Sequence, residues 1–185
     1  MLGICMNKRM GHLKGGNGFT IVELLIVIVV IGILAAITIV AFNGVQQRAR
    51  DADRKSDINT LVKAMSMWSI QEGKTPLQTN AGYNNTGEGW VYAAGYTANI
   101  ETVLSNAGLL SGTVRDPQTP VGNGSYMFYR CSATKPTIYA FFAGLESPSA
   151  ADGADFARWQ AEGCGATPTS ATYKMNYAKI FMAAS

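Results

Sequence analysis

The stretch Gly18-Phe19-Thr20-Ile21-Val22-Glu23 leads directly into residues 24–42, which contain no charged side chain. At ~1.5 Å rise per residue, these residues would form a helix roughly 30 Å long, about the thickness of the hydrocarbon core of a bilayer. The segment is rich in Ile and Val, which also suit a buried strand, but it is far longer than the usual strand. The stretch therefore predicts a membrane-spanning helix.

Glu23 places a carboxylate inside this otherwise apolar segment. An ionised side chain near the middle of a bilayer costs on the order of 3 kcal/mol, so such an acid usually has a partner. No Lys or Arg lies between Phe19 and Gln47. A cut after Gly18 would create an amino-terminal cation on Phe19, about one turn from Glu23, and a neighbouring copy could also supply that amine. The alternative is that Glu23 lies among lipid headgroups and needs no partner.

Residues 18–37, GFTIVELLIVIVVIGILAAI, resemble the amino-terminal signature of the type IV pilin and type II secretion pseudopilin family. The resemblance includes Gly18 before the cleaved bond, Phe19 after it, Glu23 and the interior Gly32. It implies cleavage after Gly18 by a prepilin peptidase, N-methylation of Phe19 and a role for Glu23 in subunit assembly. One departure is Val40, since many members have Pro shortly after the Ala-Ala-Ile sequence.

The first 18 residues are predicted to be a cleaved basic leader. They hold three of the fifteen Lys and Arg residues and no acid, so the formal charge changes from +3 to 12 minus 12, or zero. The basic balance of the whole chain is therefore no argument for nucleic-acid binding. His12, the only histidine, also leaves with the leader, which excludes Ser-His, Cys-His and His-metal sites from the cleaved chain. We expect no enzymatic activity and no cofactor.

The remaining chain is predicted to have an α+β fold in three parts. Residues 19–42 form the transmembrane and assembly segment, residues 43–72 continue the same helix with one apolar stripe, and residues 73–185 form a small extracytoplasmic head. Gly73 and Pro76 would end the helix. The head is predicted to contain short helices after Asn99 and at residues 155–161, and a turn at residues 121–124. Its short antiparallel sheet would use residues 125–131, 137–146 and 172–181.

Cys131 and Cys164 are the even pair that remains after leader removal. Outside the cytoplasm such a pair favours a disulfide, and the alternative is two buried free thiols. Three acids, Glu146, Asp152 and Asp155, are weak calcium candidates because carboxylate oxygens suit that ion and some pseudopilins bind it in such a loop. Their spacing matches no known calcium loop, so no metal site is predicted.

These features favour a structural subunit of a type IV pilus-like filament, made as a prepilin and assembled by helix bundling. The implied partners are identical subunits, the prepilin peptidase and a pilus or secretion assembly machinery. Before assembly the protein would cross the cytoplasmic membrane once, with its carboxyl end outside, and later reach a periplasmic or cell-surface filament. The alternative is a membrane-anchored extracytoplasmic binding protein that does not polymerise. Pilus, secretion pseudopilus and DNA-uptake filament all remain open.

Overall fold

A computed structural model describes residues 18–119, 125–165, 168 and 172–183. The chain divides into two compact units, Met1–Asn43 and Gly44–Ser185. Most of the predicted leader and the predicted turn at residues 121–124 lie outside the described residues. The α+β class predicted from the sequence is confirmed, because a long amino-terminal helix is followed by a small four-stranded antiparallel sheet.

Helix α1 extends over Ile21–Glu72, within two residues of the predicted start and at the predicted end. Apart from Glu23, Thr38 and Asn43, its part in the first unit is apolar on every face, and all its side chains there whose burial is described are exposed. Leu24, Ile31 and Ile39, for example, are 63%, 59% and 63% exposed. By length and composition, this helix can cross a membrane. A helix that is apolar all round is otherwise found only where protein surrounds it.

In the second unit, α1 buries one stripe of side chains. Ile58, Leu61 and Met65 are fully buried and Trp68 is nearly so. Their spacing of three or four residues places them on one face, as the sequence predicted. The helix ends before Gly73, whose φ of 62° continues the chain in the left-handed conformation that glycine adopts without a steric penalty.

The sheet has the order β1-β2-β3-β4 and is antiparallel throughout. Its strands are β1 Gly89–Trp90, β2 Met127–Ser132, β3 Lys135–Ala143 and β4 Tyr177–Met182. Strand β1 was not predicted, because two residues are too few to show an alternating pattern. Strand β3 ends before Gly144, three residues earlier than predicted, and the backbone of Leu145 instead exchanges hydrogen bonds with the side chain of Asn176. Strand β4 starts five residues later than predicted.

Both faces of the sheet are covered within the second unit. On one face, Phe128, Tyr139, Phe141 and Phe181 form an aromatic layer in the same core as the buried stripe of α1. On the other face lies α3, Ala154–Ala161, whose Trp159 is fully buried against Phe142, with ring centroids 5.0 Å apart. A shorter helix, α2, spans Ile100–Asn106 after Asn99, as predicted. Two covered faces give the head a larger core than its Gly-rich sequence suggests.

Candidate processing and assembly site

The start of α1 is held by two residues, Thr20 and Glu23. The Glu23 Oε2 atom accepts hydrogen bonds of 2.8 Å from both the backbone N–H and the hydroxyl of Thr20. The backbone N–H of Glu23 in turn donates to Thr20 Oγ1 at 3.2 Å. This reciprocal arrangement is a capping box, in which each side chain satisfies a backbone donor that the first helical turn leaves without a partner.

Thr20 is a functional residue that was not predicted, although the sequence contains a signal for it. A Thr followed three residues later by Glu, just before an apolar run, is the sequence pattern of a capping box. Glu23 also fits the interpretation of a charge inside an apolar segment, and that interpretation gives Thr20 no role. The structure gives Glu23 a partner within its own chain, and that partner does not depend on cleavage.

Gly18 and Phe19 are accessible on the amino-terminal side of this cap. Phe19 is 88% exposed, and among the described residues other than its chain neighbours no atom lies within 4 Å of the position that a Cβ on Gly18 would occupy. Phe19 and Glu23 line the same open depression of ≈ 450 Å³, together with Leu24, Val27 and Ile28. The structure therefore brings the residues of the predicted cleavage junction next to the predicted assembly acid, on a surface that is otherwise apolar.

In the second unit, a buried ionic cluster surrounds Arg54 of α1. The Arg54 guanidinium contacts Asp116 at 2.6 Å, Glu146 at 2.8 Å and Asp51 at 2.9 Å. The Arg54 side chain is only 3% exposed and that of Asp116 is fully buried. Arg50 adds a two-point contact to Glu146, with distances of 2.7 and 2.6 Å. Fork-shaped pairs of this kind are the strong form of a charge-assisted hydrogen bond.

These contacts lower the pKa values of two acids in the cluster, Glu146 and Asp116. Hydrogen bonds from Arg50 lower the pKa of Glu146 to about 2, against a smaller opposing effect of burial. Burial alone would raise the pKa of Asp116, but the bonds from Arg54 and from two backbone N–H groups hold it below its ordinary value. Asp57 behaves differently, since burial raises its pKa despite a 2.7 Å hydrogen bond from the Tyr126 hydroxyl. The cluster thus depends on ionised carboxylates.

The three weak calcium candidates already have other partners. Glu146 binds the two arginines, Asp152 binds Lys55 at 2.6 Å, and Asp155 accepts a 3.4 Å hydrogen bond from the backbone of Ile180. Within the described part of the chain, no group of three or more His, Cys, Asp or Glu residues is placed to hold a metal ion. We therefore make no calcium proposal.

Cys131 and Cys164 are joined by a disulfide, with their Cα atoms 4.3 Å apart. The bond links β2 to the segment that follows α3. Backbone hydrogen bonds support the same junction, since Gly165 N–H donates to the Cys131 carbonyl at 2.9 Å and Cys164 N–H donates to the Trp159 carbonyl at 3.2 Å. The disulfide thereby fastens α3 against its face of the sheet.

The amino terminus and the fold together have the features that the resemblance of residues 18–37 implies. The chain has a capped apolar helix at one end, long enough to anchor in a membrane, and an α+β head at the other. The profile of the prokaryotic N-terminal methylation motif matches residues 13–39. The type II secretion system core protein G of Aeromonas hydrophila is 33% identical to this chain over 60 residues.

The second match covers 32% of this chain and 42% of the relative, so the chain matches less than half of that protein's length. No solved structure matches the chain. The methylation motif and the relative support the pilin and pseudopilin family, as the amino-terminal sequence predicted. The motif match lies within residues 13–39, so it supports the family through the amino-terminal segment and not through the head.

Proposed function

We propose that this protein is a structural subunit of an extracytoplasmic filament of the type IV pilus kind, made as a prepilin that is cleaved after Gly18. The observation that carries the proposal is the capped, all-round apolar helix at the position of the methylation motif. Such a helix has two stable surroundings, which are the lipid of the membrane and a bundle of similar helices. A filament subunit moves from the lipid of the membrane into the bundle of helices.

The exposed side chains of the first unit supply the free energy for the bundle. Outside the membrane, each Ile, Leu or Val that packs against a neighbouring helix is shielded from water, which contributes roughly 1.5–3 kcal/mol. The first unit exposes more than a dozen such side chains, among them Leu25, Ile28 and Leu34. A bundle of these helices would therefore hold together without covalent links between subunits.

Glu23 would set the register of the subunits along that bundle. After cleavage, the amine of Phe19 would be a cation in the same depression as the Glu23 carboxylate, either in one chain or between neighbours. A charge left without a partner in an apolar core is strongly destabilising, so the arrangement that pairs the two charges would be preferred. Thr20 would keep the helix start folded while the pairing forms.

The proposed partners follow from this assembly. They are identical subunits, a prepilin peptidase that acts on the leader, and the pilus or secretion machinery that extracts the subunits from the membrane. The leader would face the cytoplasm and the head would lie outside. The named relative is a type II secretion component, which supports a pseudopilus, whereas the methylation motif at residues 13–39 does not by itself distinguish a pilus from a pseudopilus.

Mass spectrometry of the surface-shed fraction tests the proposal. We expect a mature chain that begins at Phe19 and carries one methyl group on its amine, in material that electron microscopy shows as fibres labelled by an antibody against residues 73–185. A chain that still begins at Met1 would overturn the filament proposal. A cleaved chain that remains entirely in the membrane fraction would favour the anchored binding protein instead.

A further inference from the structure

A second cavity, in the head, is unrelated to the assembly segment. It is a cleft of ≈ 490 Å³ beside the short strand β1, a size within the range of small-molecule sites. Five aromatic side chains and one acid dominate its lining: Tyr83, Trp90, Tyr96, Tyr129, Tyr173 and Glu88. Neither the ionic cluster nor the proposed assembly segment uses any of these residues.

Two pairs of these rings stand at steep angles to each other, so the rings of each pair are not stacked face to face. Trp90 and Tyr173 meet edge to face with centroids 5.5 Å apart, and Tyr83 and Tyr96 do so at 6.4 Å. Tyr83 is 60% exposed, and the other four rings are half-buried. Half-buried rings that are not stacked face to face offer their electron-rich faces to a ligand.

The backbone of β1 fixes this arrangement. Gly89 has a φ of 109°, and a Cβ at this position would lie 3.0 Å from the Cβ of Tyr83 and 3.1 Å from the hydroxyl of Tyr96. The two tyrosines can therefore approach the strand only because residue 89 is glycine. The backbone N–H of Trp90 also donates to the Tyr96 hydroxyl at 3.4 Å. The cleft is formed before any ligand arrives.

The cleft has a negative electrostatic character. Glu88 is its one charged lining residue, and no Lys or Arg is found among the described residues that line it. One carboxylate oxygen of Glu88 accepts a 2.8 Å hydrogen bond from the backbone of Arg130, which fixes the side chain. Burial raises the pKa of Tyr129 to about 12, so its phenol stays neutral at physiological pH. A phosphate, sulfate or carboxylate ligand would meet no cation among the described lining residues.

We propose that this cleft binds an organic cation, specifically an alkylated ammonium group held against the rings of Trp90 and the tyrosines and neutralised by Glu88. Aromatic faces attract such cations through the ring quadrupole, and several rings around one site form the usual cage for quaternary ammonium groups. The carboxylate supplies the counter-charge. This site is independent of filament assembly, and it gives the head a ligand-binding role that the amino-terminal segment does not predict.

The test compares choline with its neutral isostere, 3,3-dimethylbutan-1-ol, by isothermal titration calorimetry on the full chain. A polyoxyethylene detergent should hold the protein, because it contains neither an ammonium group nor a sugar. We expect choline to bind at least about fivefold more tightly than the alcohol, since the two differ only in the charge that the rings and Glu88 attract. Trp90 is half-buried whereas Trp68 and Trp159 are buried, so quenching of tryptophan fluorescence should report binding as well.

Two variants locate the site. Glu88→Gln keeps an oxygen that can accept from Arg130 but removes the charge, and it should weaken choline binding by roughly fivefold or more. Glu72→Gln, which changes an exposed acid at the end of α1, should leave binding unchanged. The proposal is wrong if choline does not bind at millimolar concentration, if the alcohol binds equally well, or if Glu88→Gln has no effect. Tighter binding of a neutral monosaccharide than of choline would likewise overturn it.

Discussion

Arg54 and Asp116 form a buried ion pair that connects two distant parts of the second unit. The Nε atom of Arg54 donates to Asp116 Oδ2 at 2.6 Å across a sequence separation of 62 residues, and both side chains are almost completely inaccessible. Asp116 is itself held by the backbone N–H groups of Gln118 and Thr119, each at 2.8 Å. The pair thus ties α1 to the loop that follows α2.

Replacement of Arg54 by Met should severely destabilise the head. The change leaves Asp116 buried without its cation, a situation that costs about 3–5 kcal/mol. Urea unfolding of the full chain in detergent, followed by circular dichroism, measures the loss. Arg48→Met is the matched control, since Arg48 is an exposed arginine on the same helix and its loss should change stability by no more than about 0.5 kcal/mol. Equal stability of the two variants would contradict the importance of the pair.

Stability should fall as the pH drops below about 4.5. The pKa of Glu146 is about 2 in the folded protein against an ordinary 4.5, and that of Asp116 is also lowered. The unfolded chain therefore binds more protons in this range, so the stabilisation is complete above pH 4.5 and is lost as the pH falls toward 2. Asp57 acts in the opposite direction. Because burial raises its pKa, the folded protein binds this proton more tightly than the unfolded chain does, so the contribution of Asp57 to stability rises as the pH falls.

Glu146→Gln should make that pH profile shallower. Unfolding midpoints at a series of pH values between 6 and 2 provide the comparison. Glu72→Gln, a change at an exposed residue of α1, serves as the control and should keep the slope of the parent protein. A Glu146→Gln profile that is as steep as the parent profile would show that the acid sensitivity arises elsewhere.

Removal of the disulfide should cost about 3–4 kcal/mol, because Cys131 and Cys164 close a loop with a sequence separation of 33 residues. The single variant Cys131→Ala and the double variant Cys131→Ala/Cys164→Ala should lose similar amounts of stability. Both variants remove the same disulfide and therefore the same constraint on the unfolded chain. Denaturant unfolding with and without reductant measures both. Insensitivity of the parent protein to reductant, under conditions where thiol titration shows full reduction, would contradict the prediction.

Substitutions at Glu23 can separate its role in the helix cap from its proposed role in setting the register of the subunits. Glu23→Ala should insert in the membrane but form no filaments, because both the cap and the charge are lost. Glu23→Gln keeps an acceptor for the Thr20 N–H, as Gln also serves in a capping box, but carries no charge. We expect Glu23→Gln to fail in assembly too, as judged by electron microscopy of sheared cells. Normal fibres from either variant would refute the role of the charge in setting the register.

Gly87→Ala should destabilise the loop before β1. Gly87 has a φ of 80°, and a Cβ there would collide with the backbone of Leu77. Left-handed strain in a crowded position costs about 1–3 kcal/mol. Gly95→Ala is the control, because among the described residues other than its chain neighbours no atom lies within 4 Å of its Cβ position. Thermal unfolding of the two variants distinguishes them, and equal melting temperatures would show that the loop adapts.

Local patterns in the sequence were enough to predict α1 and the two short helices of the head, α2 and α3. The spacing of Ile58, Leu61, Met65 and Trp68 is enough to define one face of a helix. Gly73 is enough to predict the end of the helix, because glycine adopts a positive φ without a steric penalty. Strand β1 could not be found in this way. Its two residues become a strand only because Gly89 and Trp90 pair with Phe128 and Met127, nearly forty residues away.

The sequence by itself determined the apolar anchor, its acid and the family that its amino terminus resembles, because these depend on composition and on spacings within a few turns of one helix. Only the tertiary structure decided which charges meet and which rings share a cleft. Arg54 has several acids within reach along the chain, and nothing local selects Asp116 and Glu146 over Asp57. That choice is made when the sheet and α1 pack, since the desolvation of each charge permits only the arrangement in which it is paired.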